Sequence, residues 1–114
     1  MVKKWEIFFC HLDPTIGSEQ RGTRPVIVIS NDTVNQLLNI STVLPITGLK
    51  SNDSLYPSQV LLPMTASGLP KDSVVLCHQI KTVSHERFIR KVGQLSDPDL
   101  QEKITEALRV HLEL

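Results

Sequence analysis

The sequence predicts a mainly β chain with helices: a small barrel or rolled sheet of five to seven short strands, with one C-terminal helix. Three observations carry that prediction. Short apolar, β-branched runs recur up to Leu95, divided by polar stretches rich in Gly, Pro, Asn and Asp. From Ser96 onward the apolar residues fall at helical spacing instead. The length of 114 residues allows roughly two-thirds of the unfolded surface to be buried, which suits one domain over residues 1–114.

The first strand is expected over Glu6–Leu12, with Asp13-Pro14 as its turn signal. A long polar loop, Thr15–Arg24, follows. Pro25 opens the second strand, and its Val26-Ile27-Val28-Ile29 run is β-branched throughout, so it reads as buried. Ser30-Asn31-Asp32 is a natural cap for a turn or two of helix over Thr33–Leu38. The third strand covers Ser41–Ile46, with Pro45 near its end marking an edge or a bulge. Thr47–Tyr56 reads as a mobile polar loop, Ser58–Leu62 as the fourth strand, and Thr65–Asp72 as a turn-rich connector. Ser73–His78 makes the fifth strand. Ser84 caps a short helical turn over His85–Phe88, and a sixth strand lies around Lys91–Leu95. Ser96-Asp97-Pro98-Asp99 combines capping spacing, a first-turn proline and acids at the positive helix end. Leu100, Ile104, Ala107, Leu108 and Leu112 then share one face.

The net charge is zero, so no global field draws the chain to nucleic acid. The distribution is uneven. Residues 1–96 carry ten Lys+Arg against seven Asp+Glu, and residues 97–114 carry two against five. An acidic terminal helix on one side leaves a modestly basic body that permits an anionic ligand. The first residues hold no apolar segment long enough for a signal peptide, and no stretch approaches the ~18 residues of a membrane span. A cytoplasmic location is therefore expected, with no membrane partner. Cys10 and Cys77 both sit in apolar runs and are expected as buried free thiols, and their spacing fits no zinc motif.

The stretch that asks for a function is Leu12–Asn31. Its loop carries Ser18, Glu19, Gln20, Arg21, Thr23 and Arg24 with hardly an apolar side chain, so packing gives no reason to tether it. Its GSEQRGTRPVIVIS segment resembles the MazF/PemK family of bacterial toxins, ribosome-independent endoribonucleases of type II toxin–antitoxin pairs. LDPT at the start, PIT at Pro45–Thr47, DSVVLCHQIKTVS at Asp72–Ser84 and the terminal DPDLQEKITEAL stand in the order and spacing of that family. The resemblance covers essentially the whole chain. It implies a compact SH3-like β-barrel with appended helices, a homodimer, and cleavage of single-stranded RNA at short sequences without a metal or other cofactor. It also implies a cognate antitoxin whose flexible tail lies across the RNA groove.

Metal-free cleavage needs a base for the ribose 2′-hydroxyl, positive charge at the phosphorane and an acid for the leaving 5′-oxygen. Arg24 matches the family's catalytic arginine before the proline, and a guanidinium offers a charged planar fork to phosphate oxygens. Thr47 matches a second phosphate-contacting position. His78 stands where many members have Asp or Glu. Histidine as a residue type titrates near neutral pH and can serve as base or acid there. Leu76 replaces an arginine of other members, which leaves more of the load to Arg24. His11 is a second proton-transfer candidate. By the resemblance Ser18, Glu19, Gln20 and Arg21 form a lid that contacts RNA, with Gly17 and Gly22 as its hinges. Lys81, with Arg87, Arg90 and Lys91, can track phosphates. Trp5, where relatives often have glycine, is read as core packing, with dimer contact or base stacking as alternatives.

Two other readings use the same barrel: a gyrase poison like the related CcdB toxins, or a catalytically inactive RNA-binding or scaffold module. A metallonuclease is disfavoured, because no Asp/Glu cluster has a spacing suited to Mg²⁺.

Overall fold

The apolar runs pair as antiparallel strands, and the two faces of the sheet they build bury separate cores. The computed structural model describes residues 1–50 and 55–114. In chain order the elements are β1 (Glu6–His11), β2 (Thr23–Val28), α1 (Asp32–Leu37), β3 (Ile40–Gly48), β4 (Gln59–Leu62), α2 (Met64–Ser67), β5 (Ser73–Leu76), β6 (Lys81–Ser84), β7 (Phe88–Gln94) and α3 (Pro98–Leu112). Short 3₁₀ turns span Cys77–Gln79 and His85–Arg87. The strand order is β4-β5-β3-β2-β1-β7, and β6 adds to β3. Among the described residues no ladder closes the two ends, so the fold is a barrel-like coiled sheet with open edges.

β3 changes partner along its length, and this creates the site. Its first part pairs with β6, from Ile40↔Ser84 to Val43↔Lys81, and its last part pairs with β5, from Ile46↔Val75 to Gly48↔Ser73. Between those partners Cys77–Gln79 loops out as a 3₁₀ turn, opposite Leu44 and Pro45. Pro45 has no N–H, so the break falls where β3 lacks a ladder donor. The fifth strand therefore ends two residues before the expected His78, which stands exposed on the turn. β6 was not expected, because KTVS holds no apolar run and becomes a strand only through its pairing with β3.

Other boundaries move for similar reasons. β1 keeps pairing through Cys10↔Arg24 and His11↔Thr23, which draws the last two loop residues into β2 and leaves Pro25 inside it. Thr47 lies within β3 rather than in a loop; of the expected Thr47–Tyr56 loop, residues 51–54 lie outside the described residues. The Thr65–Asp72 connector overlaps α2, which begins one residue earlier at Met64. Asn31 caps α1 by accepting from the Val34 amide, and Asp97 caps α3 by accepting from Asp99 and Leu100. Leu112 departs from the expected apolar face and is exposed.

The β-branched run of β2 is buried on both sides. Ile27 joins Ile7, Leu44, Ile46 and the α3 residues Leu100 and Ile104 in one core, whereas Val26 and Val28 join Cys10, Leu12, Val43 and Val83 in the other. Trp5 packs against the first core, in keeping with the packing reading. Its φ of 73° lies in the left-handed region that favours glycine. Both cysteines are free and buried, as expected. No helix among the described residues is long and apolar enough to cross a membrane.

Candidate active site

The register of β2 and β3 brings two of the expected residues together. The ladder runs Val28↔Val43, Ile27↔Leu44, Val26↔Pro45. The ladder ends there; carried two residues further, the same register sets Arg24 of β2 toward Thr47 of β3. Both line one cavity of about 200 Å³, with Phe9, Pro25, Gly48 and Lys71 on its walls. The Arg24 Nε donates to the Arg21 carbonyl at 3.1 Å, which anchors the stem of the guanidinium to the lid loop. Arg24 makes no ion pair among the described residues, so its charge is not spent on Glu19 or Asp13.

Thr47 and Gly48 also line a larger cleft of about 510 Å³, into which the Cys77–Gln79 turn brings His78. Gln20 from the lid, with Lys50, Tyr56 and Gln59, completes much of its wall. A third cavity of about 260 Å³ shares Gln20, His78 and Gln79 with the cleft and adds Glu19 and Lys81. The cleft thus adjoins the Arg24 cavity at Thr47 and Gly48 and the third cavity at Gln20, His78 and Gln79. Ser58 Oγ lies 3.1 Å from His78 Nδ1, which leaves Nε2 as the ring nitrogen without a partner among the described residues.

The lid is held rather than free. Gln79 accepts from the Gln20 amide at 3.3 Å and donates from Nε2 to the Ser18 carbonyl at 3.0 Å. Within the loop, Arg21 donates to the Gly17 carbonyl, and Glu19 accepts from the Ile16 amide. Gly17 and Gly22 sit at φ 61° and 76°, so this loop shape needs glycine's left-handed backbone at both positions. The Oε1 of Gln20 is buried without a hydrogen-bond partner among the described residues. Gln79 and Ser58 are therefore part of the site, and sequence reading passed over both. The glutamine directly after His78 was a usable signal. Nothing in the residue order pointed to Ser58, which reaches His78 only through the β4–β5 pairing.

The basic residues proposed as a phosphate track turn out to be largely engaged with the protein. Lys81 Nζ donates to the Leu12 carbonyl at 3.2 Å, and Arg87 donates to the carbonyls of His11 and Asp13. Lys91 pairs with Glu6 at 2.7 Å, and the Arg90 guanidinium lies 4.7 Å over the Phe9 ring. Lys81 and Arg87 thus brace the root of the lid. His11 hydrogen-bonds Thr23 at 3.1 Å at the far end of β1 and lines none of the three cavities.

Electrostatics limits the cysteines. Cys77 precedes His78 in the chain, and burial pushes its thiol up to about 12. Burial likewise pushes Cys10 up to about 11, against the opposing pull of Arg87 and Lys81. Neither is a nucleophile at neutral pH. Among the described residues no three His, Cys, Asp or Glu side chains cluster as metal ligands. What the two adjoining cavities offer is a cation, a hydroxyl donor and an imidazole, with Thr47 between the other two.

Comparison with known proteins adds the rest. Residues 3–112 match the family described as PemK-like, MazF-like toxin of type II toxin-antitoxin system. The chain is 37% identical over its full length to Endoribonuclease MazF9 of Mycobacterium tuberculosis, spanning 98% of that protein. It is 37% identical, again over its full length, to Endoribonuclease EndoA of Bacillus subtilis, spanning 97% of it. In fold it is similar to a crystal structure of MazF from Deinococcus radiodurans, with a TM-score of 0.83 at 22% identity, covering 99% of this chain and 97% of that one. A mycobacterial endoribonuclease solved in complex with its cognate antitoxin gives a TM-score of 0.80 at 19% identity, covering 100% and 97%.

Proposed function

The chain belongs to the PemK-like, MazF-like toxin family, and from that premise we propose that Arg24, Thr47 and His78 perform its endoribonuclease chemistry. It is the toxin of a type II toxin–antitoxin system. Its RNA is single-stranded, lying along the groove between the lid and β3. The 2′-oxygen attacks the adjacent phosphorus, a new 2′-O–P bond forms, and the bond to the 5′-oxygen breaks. The products are a 2′,3′-cyclic phosphate and a 5′-hydroxyl.

Each residue has one task in this scheme. Arg24 stabilises the charge that builds on the non-bridging oxygens, where a preorganised cation is worth most. Thr47 donates its hydroxyl to one of those oxygens. His78, through Nε2, exchanges a proton with the attacking or the leaving oxygen, and water in the open cleft handles the other transfer. Ser18, Glu19, Gln20 and Arg21 of the lid contact the RNA around the scissile step, and Lys81, while bracing the lid root through the Leu12 carbonyl, turns its remaining N–H donors to the RNA from the cavity it shares with Glu19 and Gln20. The chemistry calls on no metal or cofactor.

The observation that carries this reading is that Thr47 lines both the cavity that holds Arg24 and the adjoining cleft that holds His78. A gyrase poison would have no use for an arginine and a threonine aimed at the same small cavity, and the two relatives at 37% identity are named endoribonucleases. We place the protein in the cytoplasm as a single domain, a homodimer restrained by an antitoxin whose flexible tail fills the RNA groove. The test is to incubate the purified protein with a long RNA in EDTA and map the ends. Discrete cuts with 5′-hydroxyl ends are expected, and Arg24→Ala should abolish them. An Arg24→Ala protein that still cuts would overturn the scheme.

A further inference from the structure

Lys71 occupies a place in this groove that the reaction scheme has not used. It follows α2, and its side chain lies across the backbone of Gly48, the residue after Thr47. A Cβ at Gly48 would come within 2.7 Å of both the Lys71 Cε and Nζ. The end of the lysine side chain therefore rests against the Gly48 backbone, and a Cβ there would have to push it aside. Lys71 lines the same cavity as Arg24 and Thr47. It has no ion pair among the described residues, and the neighbouring Asp72 carboxylate is occupied in accepting from the Met64 amide at 2.9 Å. Leu76, on the strand beside it, brings no charge to the groove.

We propose that Lys71 is a second phosphate-binding residue, seated over Gly48 so that its ammonium takes a backbone phosphate oxygen in the cavity it shares with Arg24 and Thr47. A single strongly hydrated ammonium on a flexible stem suits this task, because it needs no fixed approach angle. The inference rests on the RNA-cleaving reading above and deepens it. It supplies the second cation that the sequence, with Leu76, had left missing. It also gives Gly48 a reason: glycine there is a seat for the lysine, since its backbone needs no left-handed conformation.

The test uses a mixed-sequence pool of fully 2′-O-methylated RNA, which cannot be cut by 2′-oxygen attack. Its affinity is measured between 50 and 200 mM salt for the native protein and for Lys71→Gln, Lys71→Arg, Gly48→Ala and the Gly48→Ala/Lys71→Gln double variant. Lys71→Gln is expected to bind about tenfold more weakly at low salt and to lower the slope of log affinity against log salt by ~0.7. Lys71→Arg should stay near native. Gly48→Ala should weaken binding with no change in charge, by displacing the lysine, and should add nothing in the Lys71→Gln background. Native affinity and slope in Lys71→Gln, or fully additive losses in the double variant, would overturn the proposal. Cleavage of a long RNA by the native protein is run beside it. If that cutting persists while Lys71→Gln binds normally, only the role of Lys71 falls. If the native protein neither binds nor cuts, the RNA-cleaving reading falls and Lys71 with it.

Discussion

Ser58 Oγ stands 3.1 Å from Nδ1 of His78, which fixes the ring and turns the choice of tautomer into a property of this pair. When the serine donates, Nε2 carries the proton and suits the leaving oxygen. When Nδ1–H donates, Nε2 offers its lone pair and suits the 2′-hydroxyl. Ser58 is thus a positioning residue. Ser58→Ala should lower the cleavage rate about fivefold, the worth of one partly exposed hydrogen bond. His78→Ala should cost roughly 10²- to 10⁴-fold. Initial rates on one RNA substrate compare them, and equal losses in two folded variants would refute the positioning role.

Gln79 clamps the lid from the neighbouring position. Both ends of its carboxamide hold the Ser18–Gln20 segment, across about sixty residues of chain. Gln79→Ala should release the lid with little effect on the core, because one of the two bonds is exposed and the other only part-buried. The expected result is faster amide exchange over residues 17–22, a raised KM and a global stability within about 1 kcal/mol of native. Unchanged exchange in the lid would show that the loop holds itself.

The strands with long apolar runs could be read from the sequence because their residue pattern alone demands burial, as at Val26–Val28. The caps at Asn31 and Asp97 were readable for a similar reason, since the capping atom lies within three residues of its target. What could not be read was set by pairing. β6 exists because β3 has an edge to offer, and His78 leaves the strand because β3 switches partner at Pro45. The same limit applied to the site. Arg24 and Thr47 were found by motif, but their juxtaposition is a matter of register, and Ser58, Lys71 and the clamp by Gln79 depend on contacts between distant parts of the chain. Lys81, Arg87 and Lys91 look alike in sequence, and only their partners separate a lid brace from a core ion pair.

Glu6 shows why that separation matters. Its carboxylate is nearly buried, accepts from the Lys3 amide at 2.6 Å and pairs with Lys91 at 2.7 Å, whose side chain is 46% exposed. Lys91→Met leaves a buried carboxylate with its countercharge gone. A fully buried pair broken this way costs about 3–5 kcal/mol, and water reaching the Lys91 side should reduce that to about 1–2 kcal/mol. Urea unfolding at neutral pH would register the loss as a lower midpoint with an unchanged slope. RNA binding should hardly change, whereas a residue on a phosphate track would weaken it.

The buried thiols predict an alkaline limit to stability. Burial raises Cys10 from 9.0 to about 11 and Cys77 from 9.0 to about 12. Below pH 9 both states keep these protons and the thiols contribute nothing to the pH dependence. Between about pH 9 and pH 12 the unfolded chain releases protons that the folded chain retains, so stability falls as pH rises. Cys10→Ala and Cys77→Ala should flatten that decline, each removing its own share, although each also costs stability at every pH by leaving a small cavity. Chemical unfolding at pH 7, 9 and 10.5 separates the two effects, since the cavity shifts the whole curve and the thiol changes its slope. For the same reason iodoacetamide at pH 8 should label neither cysteine in the folded protein and both in urea. Rapid labelling of folded Cys77 would mean that the turn carrying His78 opens readily, and the fixed geometry argued for that histidine would not hold.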